Sequence, residues 1–271
     1  MTTFYLGDCL EVMKDLSDNT VDCFICDLPY GQLSNKEGAN INRADYPDRP
    51  NNRQNTTGAL SGCSWDIKLD LTAFWTQVKR LAKNDHTPVL MFCNTKFGID
   101  LINSNPDWFR YDLVWDKQRG VSFLLANKMP MKSHEMIYVF SKLGAFYRRV
   151  DISGNFVARK GVIAKPPEGS SYHFVAGGKL IGNGSPSDSR CPLSVITTRP
   201  NYYHNQHPTE KPEELYEWLI KRYVPDGGTV LDPTAGSFNS CFVADRLGYT
   251  AIGIEKDEAF FNKAVKRLNP E

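Results

Sequence analysis

Segments typical of β-strands alternate with segments typical of α-helices in this chain, and this order restricts the fold more than any other feature. Short apolar runs predict the strands, and longer stretches with apolar residues at helical spacing predict the helices between them. Parallel neighbouring strands need a crossover, which is usually a helix. The alternation therefore predicts an α/β fold, with a parallel or mostly parallel sheet covered by helices on both faces.

The predicted strands are Phe4–Leu6, Val21–Cys26, Val89–Cys93, Tyr111–Trp115, Met136–Phe140, Thr229–Asp232 and Ala251–Glu255. The predicted helices are a segment capped by Asp8 that runs through Met13–Leu16, then Leu71–Ala82, Glu213–Tyr223 after Pro212, a segment through Phe242–Leu247, and Asp257–Leu268.

The chain has 271 residues, enough for one large domain or two small ones, and 41% of them are hydrophobic. The longest purely apolar run is about five residues, Val89–Cys93, so we expect no membrane-spanning helix. The N-terminus has an early acid and no basic region, so we expect no signal peptide. Seven cysteines without disulfide spacing predict reduced thiols and a cytoplasmic protein.

Cys23 and Cys26 have the CxxC spacing of some metal and redox sites. Positions i and i+3 of a strand point to opposite faces, however, and no second such pair follows at zinc-site spacing. We therefore expect two core cysteines and no metal.

Two segments interrupt the alternation of strands and helices. Gly31–Ser64 is polar and rich in asparagine. Ser141–Pro200 has nine basic and three acidic residues, a net charge of +6, although the whole chain carries only +1. The excess of positive charge in this segment is explained equally by a solvated insertion and by a surface that binds a polyanion. We expect one domain, 1–271, with inserts at 31–64 and 141–200.

A glycine-containing turn, Thr234–Ser237, follows the predicted strand that ends at Asp232. At the carboxyl end of a parallel sheet, such a turn lets a ligand approach the backbone closely. The next predicted strand ends at Glu255, where an acid can accept hydrogen bonds from the ribose of a nucleoside cofactor. The glycines do not form the dinucleotide fingerprint, and a βαβ unit without any ligand explains the same pattern.

The tetrapeptide Asp27-Leu28-Pro29-Tyr30 ends another predicted strand. Its carboxylate and the Leu28 carbonyl can accept the two N–H bonds of a planar amino group, and its aromatic ring can stack on a base. An apolar strand followed by a proline turn is common, so the tetrapeptide alone does not establish a site.

Read with GDCLEVMKDL upstream and HPTEKPEEL and VLDPTAGS downstream, this tetrapeptide resembles the motifs of DNA amino-methyltransferases, in the order of their β class. The chain is more similar still to phage and prophage adenine methyltransferases, in which DLPYG replaces DPPY. Further blocks of that resemblance are Cys63-Ser64-Trp65-Asp66, Trp115-Asp116-Lys117, Lys128-Met129-Pro130 and His134-Glu135. The resemblance implies a Rossmann-like, S-adenosylmethionine-dependent methyltransferase sheet with circularly permuted motif order and an inserted target-recognition region.

The resemblance also implies roles for single residues. Asp27, Leu28, Pro29 and Tyr30 would form the catalytic motif, holding and stacking on an adenine extruded from the duplex. The methyl group would pass directly from sulfonium to nitrogen, without a metal. The residues implied for the cofactor are Asp8 for its adenine, Glu255 for its ribose, Asp232, Thr234, Gly236 and Ser237 for its methionine part, His207, Thr209 and Lys211 for its carboxylate, and Cys9, Asp27 and Phe238 as further lining.

These residues also have structural explanations. Asp8 can be only a helix N-cap, and Lys211 and Glu255 can be a surface pair. Cys63 and Trp65 can be core residues, and we expect His134 and Glu135 to organise the end of a strand.

Phe238 departs from the family pattern, because it stands where the family has a glycine. Phenylalanine is disfavoured at positive φ, so we expect either a different turn or a ring packed on the cofactor.

The leading function that the resemblance implies is adenine-N6 methylation of double-stranded DNA. Cytosine-N4 methylation is the alternative, although those enzymes usually have serine in place of Asp27. A DNA-binding relative made inactive by Phe238 is the alternative from another class. The candidates for DNA contact are Arg148, Arg149, Arg159 and Lys160. The oligomeric state stays open, with a homodimer among the alternatives.

Overall fold

The structure is a computed structural model of the chain. It describes residues 1–30, 68–121, 123, 126–153, 189–199 and 210–269. The strands are β1 (Thr2–Leu6), β2 (Cys23–Cys26), β3 (Val89–Cys93), β4 (Phe109–Val121), β5 (Lys132–Phe140), β6 (Ile152–Ser153), β7 (Ser189–Arg190), β8 (Val195–Thr197), β9 (Thr229–Asp232) and β10 (Thr250–Glu255).

Eight of these strands form one sheet in the order β1-β10-β9-β2-β3-β5-β4-β8. The neighbours from β1 to β3 are parallel, β5 is antiparallel to both β3 and β4, and β8 is parallel to β4. The mostly parallel α/β sheet predicted from the alternation is therefore confirmed. β8 was not predicted, because its three residues lie in a segment without a clear hydrophobic pattern.

The helices are α1 (Cys9–Asp15), α2 (Leu71–Leu81), α3 (Thr95–Ser104), α4 (Glu213–Tyr223), α5 (Asn239–Arg246) and α6 (Glu258–Leu268). Four of them begin after an aspartate or asparagine whose side chain accepts a hydrogen bond from a backbone N–H of the first turn. These N-caps are Asp8, Asp70, Asn94 and Asp257. No helix in the described ranges is long and apolar enough to cross a membrane.

The strand order changes direction between β2 and β9. The chain passes from β2 through α2 to β3 on one side, and from β9 through α5 to β10 on the other. Because β2 and β9 are parallel neighbours, with Phe24 opposite Leu231, their carboxyl ends flank a crevice at the switch point. In open α/β sheets, ligands bind in such a crevice.

The core lies on both faces of the sheet. Every residue of β2 and β3 is buried, as expected for central strands covered by helices on both sides. Cys23 packs in the cluster on one face and Cys26 in the cluster on the other. Burial raises the pKa of both thiols. The predicted assignment of this pair to the core is confirmed.

The described residues divide into two compact units. The larger unit comprises Met1–Arg148 and Ser194–Glu271 and contains the eight-stranded sheet. The smaller unit comprises Arg149–Leu193, in which β6 and β7 form an antiparallel pair. The smaller unit falls inside the predicted insert 141–200, whose first and last residues belong to the larger unit. The other predicted insert, 31–64, lies outside the described residues.

Candidate active site

The loops after β2 and β9 meet at the switch point. Asp27 follows β2, and Asp232 ends β9. The hydroxyl of Thr234 donates a hydrogen bond of 3.1 Å to the backbone carbonyl of Asp27. This contact ties the predicted catalytic tetrapeptide to the predicted cofactor turn, although about 200 residues separate them in the sequence.

The carboxylate of Asp27 has a defined set of partners. The Nζ atom of Lys211 lies 2.6 Å from Oδ2, and the hydroxyl of Tyr30 donates to Oδ1 at 3.1 Å. The side chain of Lys211 is 6% exposed and that of Asp27 is 21% exposed. The carboxylate is thus held on its buried side and still accessible from the crevice.

Glu135 and Lys117 extend this charged cluster along β5 and β4. Nζ of Lys211 lies 3.3 Å from Oε2 of Glu135, and Lys117 forms an ion pair with Oε1 of the same side chain. Burial opposes ionisation of Glu135, but Lys211 and Lys117 lower its pKa to about 2. Burial also opposes the charge of Lys211, yet Asp27 and Glu135 raise its pKa above the usual range.

The contacts of Lys211 differ from the contact that the resemblance implies for it. The resemblance placed Lys211 over the methionine carboxylate, whereas the structure pairs it with Asp27 and Glu135. Its backbone is also fixed, because the side-chain amide of Asn239 donates to its carbonyl at 3.2 Å. The sequence blocks containing Lys117 and Glu135 pointed to these residues, but no spacing rule could show that they form one cluster.

Tyr30 and Leu28 complete the tetrapeptide. The ring of Tyr30 packs against Phe97 with centroids 4.8 Å apart and an interplanar angle of 30°. Burial, followed by the nearby charge of Asp27, raises the pKa of Tyr30, so its hydroxyl stays a neutral donor. The side chain of Leu28 is buried, which anchors the loop that carries its carbonyl group.

Asp232 is the last residue of β9, next to the switch point, and is 3% exposed. Its carboxylate accepts hydrogen bonds from the hydroxyl of Ser240 and, at 3.2 Å, from the backbone N–H of Thr234. Burial raises its pKa to about 7, although these two donors act in the opposite direction. A cationic ligand group in the crevice would favour its ionised form.

The turn after β9 is connected to the end of β10. Gly236 has a φ of 54°, and its N–H donates to Oε2 of Glu255 at 2.8 Å. Oε1 of Glu255 accepts from the backbone N–H of Asp257 at 2.8 Å. Burial raises the pKa of Glu255. Each carboxylate oxygen can still accept a further hydrogen bond, so both hydroxyls of a ribose are suitable ligands.

Phe238 occupies the left-handed region at φ 59° and ψ 19°. The turn therefore keeps the conformation that a glycine would adopt there. The residue is fully buried, and its ring centroid lies 4.2 Å from that of Phe4. A Cβ added at Gly253 would come within 2.6 Å of this ring. The ring fills a space in the core above Gly253, which favours a structural role for Phe238 over the expected packing on the cofactor.

Asp8 and Cys9 lie where β1 ends beside β10, with Leu6 opposite Glu255. Asp8 caps α1 by accepting from the N–H of Leu10 at 3.0 Å, and Nζ of Lys256 lies 3.2 Å from its other oxygen. Cys9 is buried, which raises its pKa to about 12. Asp8 is thus an N-cap at the edge of the sheet that carries the other site residues.

The remaining predicted site residues have different outcomes. His207 and Thr209 lie outside the described residues, as do Arg159, Lys160, Cys63 and Trp65. Arg149 forms a bidentate ion pair with Asp151 inside the smaller unit. Within the described ranges, no group of three or more His, Cys, Asp or Glu residues could hold a metal ion.

Arg148, a predicted candidate for DNA contact, is held by partners within the larger unit. It pairs with Asp226 at 2.6 Å and donates to the carbonyl of Val224 at 2.8 Å. These partners precede β9, so Arg148 lies at the amino ends of the parallel strands, opposite the crevice. Its guanidinium fastens the segment after β5 to the segment after α4.

Comparison with known proteins gives the family. Residues 21–266 match the model of the DNA methylase family N6_N4_Mtase. The chain belongs to this family. The Type II methyltransferase M.HinfI of Haemophilus influenzae is 24% identical over 99% of this chain and 68% of its own length. The Type II methyltransferase M2.DpnII of Streptococcus pneumoniae is 38% identical, but the match spans only 28% of each chain.

Two solved structures share this fold. The PvuII DNA methyltransferase, which is cytosine-N4-specific, has a TM-score of 0.64 and 13% identity, over 100% of this chain and 88% of that chain. The M1.HpyAVI–SAM complex has a TM-score of 0.58 and 19% identity, over 99% and 100% of the two chains. At identities this low, the comparison establishes only that the fold is shared.

Proposed function

We propose that this chain transfers a methyl group from S-adenosylmethionine to the N6 amino group of adenine in double-stranded DNA, at a specific sequence. The observation that carries the proposal is the carboxylate of Asp27, held by Lys211 and Tyr30 at the switch point and tied through Thr234 to the turn after β9. The DNA methylase family supports the reaction type, and the DLPYG sequence supports the likeness to phage and prophage adenine methyltransferases.

The residues at the crevice fit this cofactor. Glu255 offers two carboxylate oxygens at the end of β10 for a ribose, and Gly236 keeps the turn beside it free of a side chain. The buried carboxylate of Asp232 would complement the cationic amino-acid part. When bound, S-adenosylmethionine supplies an electrophilic methyl group on a sulfonium.

The chain's own residues would bind and orient the target base. The amino group is inaccessible in the base stack, so the nucleotide must be extruded. Asp27 and the Leu28 carbonyl would accept hydrogen bonds from the amino group, and Tyr30 would stack on the ring. The reaction needs no covalent intermediate with the protein. Alignment of the amino nitrogen with the methyl group and the sulfonium sulfur would therefore provide most of the rate enhancement.

Cytosine-N4 methylation is the second candidate. It is favoured by the fold shared with the cytosine-N4-specific PvuII enzyme. Asp27 favours adenine, because the family usually has serine at this position in cytosine-N4 enzymes. The hypothesis of an inactive DNA-binding protein rested on damage to the turn by Phe238. It is weaker, because Phe238 adopts the left-handed conformation that a glycine would have there.

The test is transfer of a tritiated methyl group to unmethylated duplex DNA of mixed sequence, followed by nucleoside analysis. We expect labelled N6-methyladenine, formed at a rate about 10²–10³-fold lower with the Asp27→Asn variant. Labelled N4-methylcytosine would establish the second candidate. DNA binding without any transfer by the wild-type protein would establish the inactive relative.

A further inference from the structure

Lys211 is a buried cation that contacts the candidate catalytic carboxylate directly. Its Nζ lies 2.6 Å from Oδ2 of Asp27, in a side chain that is only 6% exposed. Burying an ammonium group is unfavourable unless it is paired and hydrogen-bonded. Such a cation is stable here because two carboxylates face it, those of Asp27 and Glu135.

The position of Lys211 is itself fixed from several sides. Glu135 on β5 holds its Nζ, and Lys117 on β4 in turn pairs with Glu135. The ammonium also lies over the ring of Phe92, 5.2 Å from its centroid. Asn239, the first residue of α5, holds the backbone carbonyl of Lys211. Four elements of the larger unit thus determine where the ammonium stands.

The consequence for Asp27 concerns the orientation of its carboxylate. Lys211 engages Oδ2 and Tyr30 engages Oδ1, so the plane of the carboxylate is set before any substrate arrives. Each oxygen keeps a further acceptor site, and the crevice exposes 21% of the side chain. A group whose orientation is fixed in advance needs no reorganisation when the reaction occurs.

We propose that Lys211 is the positioning residue of Asp27, with Glu135 and Lys117 forming a second layer that positions Lys211. This inference rests on the proposed function, in which Asp27 binds the target amino group. On this proposal, Lys211 affects turnover by orienting Asp27. It does not bind the carboxylate of the cofactor.

The central experiment replaces Lys211 by methionine, which keeps the length of the side chain and removes its charge. Lys83→Met is a matched control, because Lys83 pairs at 3.0 Å with Asp22, a buried aspartate at the other end of β2. We expect kcat of Lys211→Met to fall about 100-fold, the size of effect that a displaced catalytic group produces. Its Kd for S-adenosylmethionine, from calorimetry, should stay within about threefold, and Lys83→Met should match the wild type in both quantities.

Crystal structures of both variants give a readout that does not depend on methylation. In Lys211→Met, we expect the Asp27 carboxylate to rotate away from its wild-type orientation. An unchanged Asp27 together with unchanged kcat would overturn the proposal. A weaker Kd for the cofactor with unchanged kcat would also overturn it, because Lys211 would then bind the cofactor. If wild-type protein transfers no label to DNA, the proposed function is wrong, and the orientation of Asp27 still decides whether Lys211 positions it.

Glu135→Gln tests the second layer and serves if Lys211→Met fails to fold. The amide keeps the size of the side chain but removes one of the two charges that hold Lys211. We expect kcat to fall about tenfold, with the Kd for the cofactor unchanged. Wild-type kcat in Glu135→Gln, with Lys211 still on Asp27 in its crystal structure, would remove the second layer from the proposal.

Discussion

Two aspartates in the crevice differ in the groups that surround them. Asp27 is paired with the ammonium of Lys211, whereas Asp232 accepts hydrogen bonds from a hydroxyl and a backbone N–H. Both residues are aspartates, but the partners of Asp27 hold its carboxylate where it is accessible from the crevice. Asp232 is protonated more easily, with a pKa near 7, and would respond to the charge of a bound ligand.

Replacing Asp27 by asparagine tests the residue that would contact the amino group. We expect methyl transfer to fall by a factor of about 10²–10³, on the order of the 2.7–4 kcal/mol lost with one preorganised hydrogen-bonding group. Single-turnover transfer of a tritiated methyl group measures this change. The variant should still fold, since Lys211 keeps Glu135 as a partner. Turnover close to that of the wild type would show that Asp27 does not bind the amino group.

Asp232 predicts a pH dependence of stability whose sign follows from its raised pKa. Below pH about 4 the carboxyl group is protonated in both the folded and the unfolded chain. Between about 4 and 7 it ionises in the unfolded chain only, so the free energy of unfolding falls as pH rises, by on the order of 2–4 kcal/mol. Urea denaturation of the wild type and Asp232→Asn at pH 4, 5.5 and 8 measures this. The stability difference between the two proteins should shrink or reverse towards pH 8, and a constant difference would contradict the prediction.

At the scale of elements, the sequence predicted those whose hydrophobic pattern is strong. The strands at Val89–Cys93 and Thr229–Asp232 and the helix at Glu213–Tyr223 were placed at their observed bounds. β8 was missed because its pairing with β4 comes from tertiary contact and not from a local pattern. The tetrapeptide and the turn were identified by motif. The cluster of Lys211, Glu135 and Lys117 was not, because it joins three distant segments whose proximity only the sheet order determines.

The turn between β9 and α5 shows how a local rule yields to packing. Phe238 at positive φ costs about 1–2 kcal/mol, and complete burial of its ring outweighs that cost. We expect Phe238→Gly to lower the free energy of unfolding by about 2–4 kcal/mol, because the lost burial exceeds the strain that glycine relieves. Denaturant unfolding measures this change.

The same variant separates a core role from a cofactor role. Because the ring lies among Phe4, Phe261 and Gly253, the Kd for S-adenosylmethionine should change less than about threefold at a temperature where the variant is folded. A Kd that rises more than tenfold without loss of stability would assign the ring to the cofactor after all.

At the scale of the whole molecule, the sheet separates two kinds of charged groups. The carboxyl ends of the parallel strands carry Asp27, Asp232 and Glu255, and the amino ends carry Asp22 with Lys83 and Arg148 with Asp226. Charges at the amino ends pair with each other and fasten loops, whereas those at the carboxyl ends surround the crevice. The position of Arg148 relative to the sheet therefore indicates a structural role for this arginine, which the sequence alone did not do.

The basic insert 141–200 provides the corresponding prediction for DNA binding. Replacing Arg159 and Lys160 together by glutamine should weaken binding to a duplex and reduce the slope of log K against log salt by about 2, since each phosphate contact releases close to one counterion. Arg148→Gln is the matched control, because its charge is paired with Asp226 at the amino ends of the strands. It should lower stability and leave the salt slope unchanged. Fluorescence titration of a labelled duplex at several salt concentrations measures both slopes. Equal slopes for the wild type and the double variant would mean that Arg159 and Lys160 face solvent, and DNA contact would then be sought in the polar insert 31–64.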